Sequence, residues 1–262
     1  MAADIIDYQI FGDDMQLVEI ELDPGEGVRA EAGAMMYMEQ GIVMETGTGA
    51  SAGAGVGAAI FKGLKRAVTG ESFFITTFFN NGQGKQHVAF GAPYPGKIIP
   101  INLASHGGQF IAQKDSYLCS ANGIDIEIAF TRKIGAGLFG GEGFILQKLK
   151  GDGLAFIHAG GTIVRKELRA GEMIKLDTGC LAGMDASIKY DIQFVGGFKN
   201  ALFGGEGLFL ATLTGPGVVY LQSLPLSRLA DRISAAAGFK AGNSGGETRG
   251  IGGILGGMIS GD

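Results

Sequence analysis

The sequence predicts an all-β protein, with three β-sandwich or barrel-like units built on one plan and a short C-terminal helix. Three observations carry that prediction. A Gly-Glu turn recurs as Gly70-Glu71-Ser72, Gly141-Glu142-Gly143 and Gly205-Glu206-Gly207, each running into an apolar stretch. Apolar and polar residues alternate strictly in the clearest segments, the mark of strands with one buried face. Glycine, at 48 of 262 residues, far exceeds its usual share of about 7% and implies many tight turns and bulges.

Each unit follows from a count. An offset of 64 carries Glu142 to Glu206, Gly123 to Ser187, Phe139 to Phe203, Gly151 to Gly215, Gly153 to Gly217 and Phe156 to Tyr220. Pro24-Gly25-Glu26 matches Ala170-Gly171-Glu172, and Gly33 matches Gly179, 146 positions on; Gly107 lies 82 beyond Gly25 and 64 before Gly171. Internal periodicity of this kind fixes architecture before chemistry. It divides the chain into residues 1–95, 96–160 and 161–224, which form one composite body, and residues 225–262, a helix and Gly-rich tail. The first unit is longer by an insertion of 11 residues, falling within 47–69.

Within the units, Val18, Ile20 and Leu22 alternate with Glu19 and Glu21, and Asp23-Pro24-Gly25-Glu26 then predicts a β-hairpin turn. Ile124, Ile126, Ile128 and Phe130 alternate with Asp125, Glu127 and Ala129; Ile188, Tyr190, Ile192 and Phe194 do the same 64 residues later. Gly151-Asp152-Gly153 and Gly215-Pro216-Gly217 supply glycines suited to tight reversals. Strands with one apolar face need a second sheet or a closed interior, hence sandwich or barrel-like units. From Pro225, Leu226, Leu229, Ala230 and Ile233 recur at helical spacing, with proline acceptable in the first turn.

Composition excludes several classes. A net charge of −5 disfavours a broadly basic surface for nucleic acid. The two cysteines, Cys119 and Cys180, are not 64 apart and imply neither a repeated disulfide nor a metal site. They fit a reducing cytoplasm. The first residues, MAADIIDYQIFGDD, show no basic start followed by an apolar core, and no apolar run reaches membrane-spanning length.

Candidate functional residues fall in two groups. In the insertion, Phe61, Lys62, Leu64, Lys65 and Arg66 interleave apolar and cationic side chains, a pattern that suits an anionic membrane surface or an ordinary amphipathic surface helix. The repeated turns place Gly70 and Glu71, Gly141 and Glu142, and Gly205 and Glu206 at matching positions. Recurrent carboxylates can bind a cation, but triplicated turns must each satisfy their own backbone, and that reading makes the glutamates structural. His87, His106 and His158 lack metal-ligand spacing, and no Gly-x-Ser-x-Gly elbow surrounds any serine. Gly53-Ala54-Gly55-Val56-Gly57 follows no strand of a βαβ unit and is read as a loop. No catalytic, metal or cofactor residue is assigned.

Several separated segments carry a family resemblance: Pro24 through Met35, Gly70-Glu71-Ser72-Phe73-Phe74, Leu138 through Gly143, and Leu202 through Gly207 leading to Gly215-Pro216-Gly217. With these the chain resembles bacterial relatives of the altered-inheritance-of-mitochondria protein twenty-four family, a group largely of unknown function. The resemblance implies a fold similar to the tryptophan RNA-binding attenuation protein, with tandem repeats and homo-oligomers, and it brings no established catalytic residues. The expected function is therefore a non-enzymatic assembly or interaction protein, cytoplasmic or peripheral to a membrane, with a protein or membrane partner. The alternative is a small-molecule or RNA binding module using clefts between units.

Overall fold

The computed structural model describes residues 2–31, 33–47, 75–132, 144–195 and 208–237. Contacts divide the chain into a body, Met1–Arg228, and a C-terminal unit, Leu229–Asp262. Among the described residues the regular structure of the body is strand, with short 3-10 turns between some of the strands. Its first part contains β1 (Asp7–Phe11), β2 (Leu17–Leu22), β3 (Gly27–Glu31), β4 (Met35–Met38), β5 (Ile42–Gly47), β6 (Ile75–Asn80) and β7 (Gln86–Gly91). There follow β8 (Gly96–Asn102), β9 (Gln109–Gln113), β10 (Tyr117–Ala121), β11 (Asp125–Arg132), β12 (Phe144–Lys150) and β13 (Leu154–Gly160). The last part is β14 (Ile163–Leu168), β15 (Met173–Asp177), β16 (Leu181–Asp185), β17 (Lys189–Val195), β18 (Leu208–Thr214) and β19 (Gly217–Gln222).

One antiparallel pairing scheme recurs along the body. β2 and β4 flank β7 while β3 and β5 flank β6. Likewise β8 and β10 flank β13 while β9 and β11 flank β12. In the last part β14 and β16 flank β19, and β15 and β17 flank β18. Even the irregularities correspond: the register slips by one residue between Met35 and Tyr37, between Tyr117 and Cys119, and between Leu181 and Gly183. Each slip leaves one bulged residue, which sharpens the local twist.

The inward positions of these strands are buried in two core clusters. Val18, Ile20 and Leu22 of β2 pack in one core cluster with Val28 and Ala30 of β3, Phe78 of β6 and Phe90 of β7. Phe78 and Phe90 meet edge-to-face with ring centroids 5.3 Å apart, the arrangement aromatic quadrupoles favour. A second cluster, around Leu146, Leu181, Met184, Ile192 and Leu213, is drawn from β12, β16, β17 and β18.

The turn at residues 23–26 is not a hairpin. β2 lies beside β1 and β7, whereas β3 lies beside β6 and β10, so the chain crosses from one sheet to the facing one. Side-by-side pairing would forfeit the face-to-face contact of their apolar residues, and that contact decides the geometry. Gly25 takes φ +90°, and the Glu26 carboxylate accepts the Asp23 N–H at 2.8 Å. Gly171, at φ +78°, and Glu172, accepting from Arg169 N–H at 2.9 Å, repeat the device. Residues 151–153 and 215–217 also link strands of different sheets. The true hairpins are β1–β2, β5–β6, β11–β12 and β17–β18.

The predicted C-terminal helix is α1 (Leu226–Ala236), and none of its residues is buried. No helix among the described residues is long and apolar enough to cross a membrane.

Candidate functional site

The repeated scheme leaves two strands, β4 and β15, without the second neighbour that their counterparts have. β3 of the first strand set joins β10 of the second, pairing Ala30 with Cys119, Arg29 with Ser120 and Val28 with Ala121. β9 joins β16 in the corresponding register, pairing Ala112 with Gly183, Ile111 with Met184 and Phe110 with Asp185. These two junctions make two six-stranded sheets, β5-β6-β3-β10-β13-β8 and β11-β12-β9-β16-β19-β14. The remaining strands form a four-stranded sheet ending on β4 and a three-stranded sheet ending on β15. Among the described residues β4 pairs only with β7, and β15 only with β18.

Burial registers the missing neighbours. Leu118, Cys119 and Ser120 of β10 are 1%, 0% and 0% exposed, whereas Met36, Tyr37 and Met38, at the same places on β4, are 57%, 43% and 39% exposed. On β9, Phe110 and Ala112 are fully buried. Their counterparts on β15, Ile174 and Leu176, are only partly buried, with Met173 exposed beside them. Open backbone N–H and C=O groups along such an edge template pairing with another strand. Methionine suits the role, since its unbranched thioether adapts to whatever packs on it.

A charged cluster braces the β4 edge from its outer face. The His87 ring contacts Glu39 at 3.1 Å through Nδ1 and Glu21 at 3.3 Å through Nε2. Glu39 also accepts the His87 backbone N–H at 2.7 Å, Tyr37 donates its hydroxyl to Glu19, and Lys85 pairs with Glu21. Partial burial works against a charged His87, but the surrounding carboxylates of Glu39, Glu19 and Glu21 outweigh it and raise its pKa above 6.5. The His87 backbone N–H and ring hold Glu39 below the usual carboxylate range. β4 is therefore a strand fixed in place, with its far side open.

Residues 8–224 match the family described as Mitochondrial biogenesis AIM24. The chain belongs to that family. It is 29% identical over 221 residues to an uncharacterised protein of Streptococcus pyogenes serotype M6, covering 83% of this chain and 85% of that protein. The crystal structure of the Streptococcus pyogenes protein SPYM3_0169 is similar with a TM-score of 0.70 and 25% identity, over 88% of this chain and 99% of that one. The fold of this AIM24-family chain is thus all-β with one short C-terminal helix. No activity comes with these relatives.

The residues singled out from the sequence lie elsewhere. Gly70 and Glu71, Gly141 and Glu142, and Gly205 and Glu206 all fall in the connections of the three hairpins β5–β6, β11–β12 and β17–β18, outside the described residues. Phe61, Lys62, Leu64, Lys65 and Arg66 share the first of those connections and are likewise outside them. Among the described residues, no group of three or more His, Cys, Asp or Glu has metal-holding geometry. Burial pushes the Cys119 thiol well up, and burial followed by Asp177 pushes Cys180 up against the pull of Arg228, so neither is an activated nucleophile. His106 contacts Asp185 at 2.5 Å, and Asp185 accepts Val218 N–H at 2.7 Å, a link between the turn after β8, the end of β16 and the start of β19 rather than a dyad beside any nucleophile.

Sequence reasoning missed the edges. Met35-Met36-Tyr37-Met38 has no alternation to mark it as a strand. The signal was available in the register itself: an offset of 82 lays Met36, Tyr37 and Met38 on Leu118, Cys119 and Ser120, a segment that needs a neighbour on both sides.

Proposed function

We propose that this AIM24-family protein is a non-enzymatic assembly protein whose copies join through their unpaired sheet edges into a homo-oligomer. The observation that carries the reading is the pairing scheme, used at two internal junctions and left open at β4 and β15. Strand addition to an open edge supplies main-chain hydrogen bonds for affinity and side-chain pockets for specificity. The β15 edge of one copy and the β4 edge of the next are different surfaces, so the contact is head-to-tail and generates a ring where the rotation closes. Light scattering at micromolar protein tests it: the expected result is an oligomer that Met38→Asp converts to folded monomer, and a wild-type monomer sinks the reading.

The assembled body would then offer its hairpin connections to a protein partner or membrane surface. Support for the membrane comes from the alternation of Phe61 and Leu64 with Lys62, Lys65 and Arg66. Flotation with anionic liposomes tests this part separately. Wild-type protein is expected to float and the Lys62→Glu, Lys65→Glu variant to stay behind; complete recovery of wild type in the soluble fraction counts against it.

A further inference from the structure

The assembly reading leaves open how the edges meet, and the two internal junctions answer that. At both, a strand of the β3 kind runs antiparallel to one of the β10 kind, and the paired residues correspond under the offsets of 82 and 64: Ala30 and Cys119 become Ala112 and Gly183, and Arg29 and Ser120 become Ile111 and Met184. Applied once more, these offsets carry Ala112 to Leu176 and Ile111 to Lys175 on β15. They carry Cys119 back to Tyr37 and Ser120 back to Met38 on β4. The turn after the accepting strand corresponds as well, with Ile42 N–H on Glu39 O at 3.0 Å, Ile124 on Ala121 at 3.4 Å and Ile188 on Asp185 at 3.1 Å.

One side-chain contact extends the correspondence. At the β3–β10 junction the buried Arg29 reaches across and donates from Nη1 to the Ile124 carbonyl at 2.9 Å. The residue in Arg29's place on β15 is Lys175, which is exposed. The residue in Ile124's place beyond β4 is Ile42. A long cation therefore stands on one open edge, and the carbonyl that would receive it stands beside the other.

We propose that β15 of one copy pairs antiparallel with β4 of a second copy in a single register, Leu176 opposite Tyr37 and Lys175 opposite Met38, with the Lys175 ammonium donating to the second copy's Ile42 carbonyl. The proposal rests on the assembly reading and commits it to one geometry. The stem of Lys175 lies along Met38, so its apolar part packs while its head is satisfied.

Cross-linking tests the register in the full-length chain with Cys180→Ala, Cys119 being buried. Residues directly opposite in an antiparallel pair have Cα atoms about 4.5–5.5 Å apart, within the range a disulfide spans. Tyr37→Cys alone and Leu176→Cys alone should give no linked dimer on mild oxidation, and their mixture should give one. A dimer from Tyr37→Cys alone would mean edge-to-like-edge pairing and overturn the proposal. So would linkage of Tyr37→Cys with Ile174→Cys in preference to Leu176→Cys, or a 37–176 link formed within one chain. Oligomers that stay intact without the expected link leave the assembly reading standing and remove this register; monomers remove both. For the strut, Lys175→Glu should weaken self-association roughly tenfold to a hundredfold, the range for losing a hydrogen bond to a charged group, while Lys175→Arg retains it. Equal association of Lys175→Glu and wild type would overturn the Ile42 contact.

Discussion

His158 on β13 should make the protein acid-sensitive in a way that one substitution removes. The side chain is 1% exposed, and neither ring nitrogen has a hydrogen-bond partner. Its ring meets Tyr94 edge-on with centroids 4.4 Å apart. Burial pushes its pKa from 6.5 down to about 4. A base with a depressed folded pKa contributes stability that is present above 6.5 and lost as pH falls toward about 4, because the unfolded chain takes up the proton first. Linkage over that interval gives a loss of about 2 kcal/mol by pH 5 and about 3 kcal/mol by pH 4. His158→Gln keeps a side chain of similar volume that does not titrate, and glutamine already occupies the place 64 residues on, where Gln222 bridges Gly160 N–H and Gly179 O at 2.9 Å each. Urea unfolding of both proteins at pH 7 and pH 5, at one protein concentration, isolates the effect, since every other titrating group is shared. The expected result is a wild-type loss larger by about 2 kcal/mol. Equal losses in the two proteins would show that His158 is not held neutral, and the reasoning from burial would fail.

Two other outcomes follow from the same geometry. His87, with its pKa raised above 6.5, should brace β4 fully below about pH 6.5 and release it as pH rises through the raised value; Glu39 and Glu21, held below 4.5, set the acid limit by losing their contribution as pH falls beneath it. Hydrogen exchange of residues 35–39, corrected for intrinsic rates, should be slower near pH 6 than near pH 8, and His87→Gln should abolish the difference. Gly171→Ala meets no atom within 4 Å, so its cost is the left-handed backbone alone, about 1–2 kcal/mol. Gly183→Ala should cost more in chemical denaturation, because its Cβ would lie 2.6 Å from the Phe110 ring at the β9–β16 junction.

Fold class was legible because it rests on local signals. Ile188 and Ile192 are buried with Lys189 and Asp191 exposed between them, as alternation requires. The neighbouring case is instructive: Ile124 is buried, but Ile128 is 37% exposed, and the register slips between Ile128 and Phe130 where β11 pairs with β12. A bulge moves side chains to the other face without changing the pattern in sequence. The turn at 23–26 failed as a hairpin for a related reason. Glycine at positive φ and a carboxylate closing the turn serve a hairpin and a sheet-to-sheet crossing equally, and only long-range pairing separates them. The candidate edges were hidden because an edge is defined by what is missing beside it. Met36 and Leu118 are both apolar, and burial alone tells them apart.

Two other sheet margins carry protective residues that β4 lacks. β8, which ends one six-stranded sheet, contains Lys97 and Pro100, and β14, which ends the other, carries Arg165, Lys166 and Glu167. Prolines and charges of this kind are how sheet proteins blunt an edge against unwanted pairing. β4 has neither: its residues are Met35, Met36, Tyr37 and Met38. Its bulge is no defence, because β10 carries the same register slip and accepts β3, and β16 carries it and accepts β9. On β15 the single cation Lys175 deters a strand that offers it nothing, yet Arg29 in the corresponding place shows that a cation there is accommodated when a carbonyl waits across the junction. An edge that repels most strands and satisfies one is a specificity device, and in this chain the matching carbonyl is encoded beside β4, the other margin whose counterparts pair at the internal junctions.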